Sequence, residues 1–186
     1  MLRVVSLLVF LVPVPVLADE VKIAVASNFT APMKEIVAGF EKASGHRVLA
    51  SFGSTGKLYA QIRHGAPFEA LLAADAKTPA RLVEEGLASD AFTYAIGRLV
   101  LWSADEDLVD GAGQVLAAGG FDKLAIANPK TAPYGSAAIQ VMQALGVYET
   151  LAERLVQGDN IAQTYQFVMS RNAALGFVAL SQVTTQ

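Results

Sequence analysis

The sequence predicts an α/β protein of two lobes, each a parallel-rich sheet flanked by helices, with a cleft between them. Three observations predict it. From Val21 to about Leu87, short apolar runs alternate with segments of helical apolar spacing, in the order β-α-β-α-β-α. A long strand-like stretch with a glycine in its middle, Thr93 to Trp102, then breaks that order, as a segment leaving one lobe for another does. A second α/β succession follows, from Leu124 to Leu180. At 186 residues the chain is long enough to bury a substantial core as one large domain or two small lobes.

Each element has its own signal. Val21 to Ala26 reads as a buried strand. Pro32 suits a first helical position, because its missing N–H would be unpaired there anyway. Met33, Ile36, Val37 and Phe40 recur at helical spacing, so a helix runs to about Ser44 and Gly45 stops it. Val48 to Phe52 is a second strand, broken at Gly53-Ser54-Thr55-Gly56. Leu58 and Ile62 then mark a helix ending near Gly65. Phe68 to Ala73 is a third strand, and Thr78-Pro79 opens a helix containing Leu82, Val83 and Leu87. In the second lobe, Leu124 to Ala127 and Ala174 to Leu180 read as strands. Helices pass through Ile139, Met142 and Leu145, and through Ala162, Phe167 and Val168.

Composition excludes several functions. Lys and Arg number 14 against 17 Asp and Glu, and they are scattered, so no nucleic-acid footprint is present. The absence of cysteine removes disulfides, thiolate metal sites and cysteine nucleophiles. His46 and His64 are too few for a histidine metal site, and no Gly-x-Ser-x-Gly elbow signals a hydrolase. Asp75, beside a strand end, reads as a cap of the next turn before it reads as a catalytic acid. Trp102 reads as core.

The N-terminus reads as a secretory signal peptide over residues 1–18. Arg3 supplies a positive start, Val4 to Val12 is apolar apart from Ser6, and Val16-Leu17-Ala18 precedes Asp19-Glu20. A membrane anchor would need about 20 apolar residues, and Pro13 and Pro15 interrupt the stretch early. The expected organisation is therefore signal peptide 1–18, first lobe 19–95, second lobe 96–180, and 181–186 as the start of a return to the first lobe. The expected location is the periplasm.

Ligands of open α/β sheets sit at strand carboxyl ends, where the next helix presents unpaired N–H groups and a partial positive charge. Four such junctions carry hydroxyl and amide side chains: Ser27-Asn28-Phe29-Thr30, Ser54-Thr55-Gly56, Thr131 to Ser136, and Asp159-Asn160-Ile161. Each taken alone reads as helix capping, because Ser, Thr, Asp and Asn are the preferred caps. Taken together, two per lobe, they read as a site for a polar or anionic ligand.

In order and spacing these segments resemble the molybdate-binding proteins of ABC transporters. The resemblance covers the chain beyond the signal peptide. It rests on Ala26-Ser27-Asn28-Phe29-Thr30 with Met33, Phe52 to Leu58, and Gly65-Ala66-Pro67-Phe68-Glu69 leading to Ala74-Asp75. It continues with Ala127-Asn128-Pro129 through Pro133-Tyr134-Gly135, Gly158-Asp159-Asn160-Ile161, and Leu175-Gly176-Phe177-Val178. The resemblance implies the two-lobed type II periplasmic binding protein fold, no enzymatic activity, and a monomer that delivers molybdate or tungstate to a permease. It also implies no bound cofactor and no direct cation site, since the metal arrives as an oxyanion. The implied first-lobe ligand residues are Asn28 and Thr55, with Ser27 and Ser54 adjacent. Those of the second lobe are Tyr134 and Ile161, donating mainly through backbone N–H. Some family members add a tyrosine hydroxyl from the last strand, at the position held here by Ala179. Family members also continue beyond the position of Gln186, usually returning to the first lobe. Receptors for sulfate, phosphate or a small organic acid stand as alternatives, and a secreted hydrolase as a more distant one.

Overall fold

A computed structural model describes residues 19–184. The proposed signal peptide lies outside the described residues. The chain forms two sheets, and each is organised around one apolar strand.

The first sheet is wholly parallel. β1 (Glu20–Ala26) lies between β2 (Arg47–Gly53) and β3 (Ala70–Leu72). Ile23 to Ala26 are buried, which suits a run covered on both faces. α1 (Thr30–Ser44) joins β1 to β2 and packs Met33 and Val37 against Val25 and Val48. α2 (Thr55–Arg63) follows β2, and α3 (Lys77–Glu84) follows β3. Leu87 falls beyond the end of α3, and Phe68 lies ahead of β3, so both elements are shorter than their apolar patterns.

The second sheet has the order β4-β7-β5-β6. β5 (Leu124–Ala127) pairs in parallel with β6 (Leu155–Gly158) and β7 (Leu175–Ala179), and every residue of β5 and β7 is buried. β4 (Leu99–Trp102) runs antiparallel to β7, with Leu99 opposite Ala179. A short α4 (Val115–Ala118) precedes β5. α5 (Pro133–Ala144), α6 (Tyr148–Leu151) and α7 (Ile161–Met169) pack Ala138, Met142 and Leu151 into one core with Leu124, Ile126 and Leu175, while Val168 joins Ala125 in a smaller one. The chain is described to a last short helix, α8 (Leu180–Val183).

The expected strand from Thr93 to Trp102 is present only over Leu99–Trp102. Residues 93–98 join neither sheet and are exposed. They are fixed by side chains instead. The Tyr94 hydroxyl donates to the Ala73 carbonyl at 3.0 Å, and its ring meets Phe29 edge-on at 5.2 Å. The Leu180 N–H donates to the Arg98 carbonyl at 2.9 Å, so the chain passes beside this crossover after β7.

Strand order decides where a ligand fits. β1 has β2 on one side and β3 on the other, and β5 has β6 and β7 likewise. Each is a point where the winding reverses, and the crevice opens at its carboxyl end. β1 ends at Ala26, directly before the Ser27 junction, and β5 at Ala127, at the start of the loop that leads to the Thr131 junction.

Candidate functional site

The four junctions differ in how their polar groups are employed. A helix leaves its first N–H groups without intrahelical acceptors, so a side chain, water or ligand must satisfy them. At α7 the side chain does so. The Asn160 side-chain oxygen accepts from the N–H groups of Ala162 and Gln163 at 3.0 and 3.1 Å. Asn160 is therefore a cap, while Ile161 follows as the first helical residue, buried at the lobe boundary. At α2 the side chain does not. Ser54 occupies the N-cap position in extended conformation but makes no capping bond. Its hydroxyl is buried and unpaired, although the residue is only 3% exposed. A buried polar atom left unpaired costs about 1–3 kcal/mol, and native folds seldom retain one without a use.

Thr55, the first residue of α2, is buried with its hydroxyl oxygen accepting from the Ala74 N–H at 3.0 Å. That bond fills a lone pair and leaves the hydroxyl proton available to donate. Ser27 and Asn28 lie in a short 3-10 turn between β1 and α1. The Ser27 carbonyl accepts from the Thr30 hydroxyl at 2.8 Å, so Thr30 closes the turn itself. The Asn28 carbonyl accepts from the Ser181 hydroxyl at 2.7 Å, while its side-chain oxygen is buried and unpaired.

α5 begins with Pro133 and has no side-chain cap. Tyr134, its second residue, is buried, and its ring shares a small apolar cluster with Ala127, Ile161 and Ala179. Ala179 occupies the core there as a small residue beside the tyrosine ring. The Tyr134 hydroxyl rests against Gly97 of the crossover so closely that any Cβ at Gly97 would overlap it. Burial pushes the Tyr134 phenol up from its ordinary range, and a side-chain hydrogen bond with Asn28 partly opposes this. Burial also raises the Tyr94 phenol, with the nearby Tyr134 adding to it. Both hydroxyls therefore stay protonated at neutral pH, and the Tyr94 proton is already given to the Ala73 carbonyl.

The two lobes meet across these junctions. The Gly56 N–H of α2 donates to the Thr131 carbonyl at 2.8 Å. A Cβ at Gly56 would lie 2.9 Å from that oxygen and 3.1 Å from the Thr131 Cα, so only glycine admits this approach. Lys57 pairs with Asp159 at 2.9 Å, which neutralises the one carboxylate of the four junctions. Asp75 is turned to local use, accepting from the N–H and hydroxyl of Thr78 at 2.6 and 3.2 Å. No group of three or more metal-ligating side chains occurs among the described residues.

The structure thus joins Asn28 to Tyr134 and the start of α2 to the start of α5, with Ile161 in the Tyr134 cluster. Sequence reasoning placed Thr131 and Gly56 within the polar junctions but gave neither a role of its own, and it missed the Lys57–Asp159 pair. For Thr131 a signal existed, since it opens the junction that ends in Pro133-Tyr134; for the other two, only the lobe contact reveals them. Neutral donors, two helix starts without side-chain caps and a neutralised carboxylate suit an anion.

Comparison with known proteins agrees. Residues 21–186 match the family described as bacterial extracellular solute-binding protein. The molybdate-binding protein ModA of Azotobacter vinelandii is 58% identical over 168 residues, covering 89% of this chain and 67% of the relative. That of Rhodobacter capsulatus is 56% identical over 171 residues, covering 91% and 68%. The solved structure of the Azotobacter vinelandii periplasmic molybdate-binding protein superposes with a TM-score of 0.84 at 44% identity, covering 86% of this chain and 71% of that one. The chain spans about two thirds of the length of these curated relatives. It has the two-lobed α/β fold of periplasmic solute-binding proteins, and it belongs to the bacterial extracellular solute-binding protein family.

Proposed function

We propose that the chain captures molybdate or tungstate in the periplasm and presents it to an ABC permease. The observation that carries this reading is the buried Ser54 hydroxyl, left unpaired at a helix start where capping would be the ordinary use. Relatives 58% and 56% identical are named for molybdate binding, which supports the choice of anion.

The proposed ligand residues are Asn28 and Thr55 of the first lobe with Ser27 and Ser54 beside them, and Tyr134 and Ile161 of the second. The proposed lobes are 19–95 and 96–180, with residues 1–18 as a cleaved leader. A tetrahedral dianion requires many donors and few acceptors near it, so hydroxyls, an amide and helix N–H groups serve where carboxylates would repel. Both lobes contribute, so ligand binding favours the state in which they meet. The protein acts by binding rather than turnover. As a proposed monomer, it carries the metal as an oxyanion and has no resident cofactor.

Isothermal titration with molybdate, tungstate and sulfate tests the reading. One-to-one binding of molybdate or tungstate, much tighter than that of sulfate, is the expected outcome. Tighter binding of sulfate would reassign the ligand, and a folded protein that binds none of the three would overturn the anion reading.

A further inference from the structure

We infer that Thr131 is a further ligand-contacting residue, whose hydroxyl donates to the bound oxyanion while its carbonyl fastens the second lobe to the first. The inference rests on the proposed oxyanion reading and adds to it a residue that the family resemblance does not supply.

Three buried side-chain oxygens among the described residues lack a hydrogen-bond partner: those of Asn28, Ser54 and Thr131. The first two belong to the proposed ligand set, and Thr131 shares their condition. Its position brings it to the same place. The Thr131 carbonyl accepts from the Gly56 N–H, two residues beyond Ser54, and Tyr134 lies three residues after it. Local structure accounts for the Thr131 backbone and not for its side chain. The N–H donates to the Asn128 carbonyl at 3.2 Å and the carbonyl is held by Gly56, yet the hydroxyl has no such engagement. The Asn128 side chain accepts from the Lys130 N–H, so this loop closes without help from Thr131. A threonine hydroxyl needs a partner when buried, and an anion between the two helix starts supplies an acceptor.

The contact also has a directional consequence. The Thr131 backbone meets the start of α2 only when the two lobes join, so on this inference its hydroxyl counts as a donor in the joined state and not in the separated one. Such a group converts ligand affinity into preference for lobe contact.

The test compares Thr131→Val, Thr131→Ala and Thr131→Ser in the full chain by titration with sodium molybdate, alongside thermal melting without ligand. Losing one hydrogen bond to a charged group predicts about a ten- to hundredfold weaker Kd for Thr131→Val and Thr131→Ala. Thr131→Ser, which keeps the hydroxyl, stays within about threefold of the wild type. Ligand-free melting of Thr131→Val is expected to match or exceed the wild type, because the buried hydroxyl bonds nothing in the protein. Should Thr131→Val fail to fold, Thr131→Ala against Thr131→Ser makes the same comparison. Wild-type affinity in the hydroxyl-free variants, or equal loss in all three, would overturn the inference and leave the oxyanion reading standing. A folded wild type that binds no molybdate would remove the reading itself.

Discussion

α2 and α7 begin alike in sequence and differently in chemistry. Ser54 and Asn160 both hold the N-cap position in extended conformation, and both are preferred capping residues. Asn160 caps its helix with two hydrogen bonds, whereas the Ser54 hydroxyl bonds nothing within the protein. The difference separates two uses of one residue class. A cap that is made contributes to folding; a cap left unmade, and buried, holds a donor ready for something that arrives later. Polar residues at helix starts therefore indicate a binding site when their local bonds are absent.

The largest expected effect concerns the contact that brings these helix starts together. Gly56→Ala favours α2 itself, by roughly 0.5–1 kcal/mol of helix propensity, but places a Cβ against the Thr131 backbone. Titration should show no saturable molybdate binding at concentrations that saturate the wild type, with folding retained. Unchanged affinity would mean that the Gly56–Thr131 approach has no part in binding.

Next comes the comparison itself. Ser54→Ala should weaken molybdate binding about ten- to hundredfold, as for loss of a hydrogen bond to a charged group, while leaving the ligand-free melting temperature unchanged or raised. Asn160→Ala should do the reverse, lowering unfolding free energy by about 1 kcal/mol with a smaller loss of affinity. Paired denaturation and titration of the two variants check this, and a Ser54→Ala protein destabilised like Asn160→Ala would erase the distinction.

The smallest effect belongs to Lys57→Ala. The Lys57–Asp159 pair is largely exposed, with side chains 49% and 65% accessible. Exposed pairs contribute about 0–1 kcal/mol and are screened by salt. Its removal should weaken binding slightly at low ionic strength and not at high salt. A large loss at both would assign the Asp159 charge, once unpaired, a direct repulsion of the anion.

Legibility followed the kind of signal. β1, β5 and β7 were readable because continuous apolar runs buried on both faces leave few other solutions. α1 was readable from its Met33, Ile36, Val37 and Phe40 spacing and the Gly45 stop. β6 escaped because Leu155-Val156-Gln157-Gly158 is short and half covered, and its strand character comes from pairing with β5. Thr93 to Arg98 was misread because an extended apolar stretch is the same in sequence whether or not a strand edge stands beside it. In the site, Asn28, Ser54 and Thr55 were visible as hydroxyl and amide residues after strand ends, but cap and ligand donor share that signature.

Residue order alone determined the alternation of strands and helices, the glycine-punctuated polar junctions and the absence of thiol chemistry. These depend on local propensity and periodic burial, which neighbouring residues carry with them. Tertiary structure decided which of those junctions spend their hydrogen bonds at home. That choice depends on what lies opposite: the Ala74 N–H against Thr55, the Thr131 carbonyl against Gly56, and the Gly97 backbone against the Tyr134 hydroxyl. A hydrogen bond requires two groups within about 3 Å, and only tertiary packing, within the first lobe for Thr55 and between the lobes for Gly56, sets distances between residues so far apart in the chain.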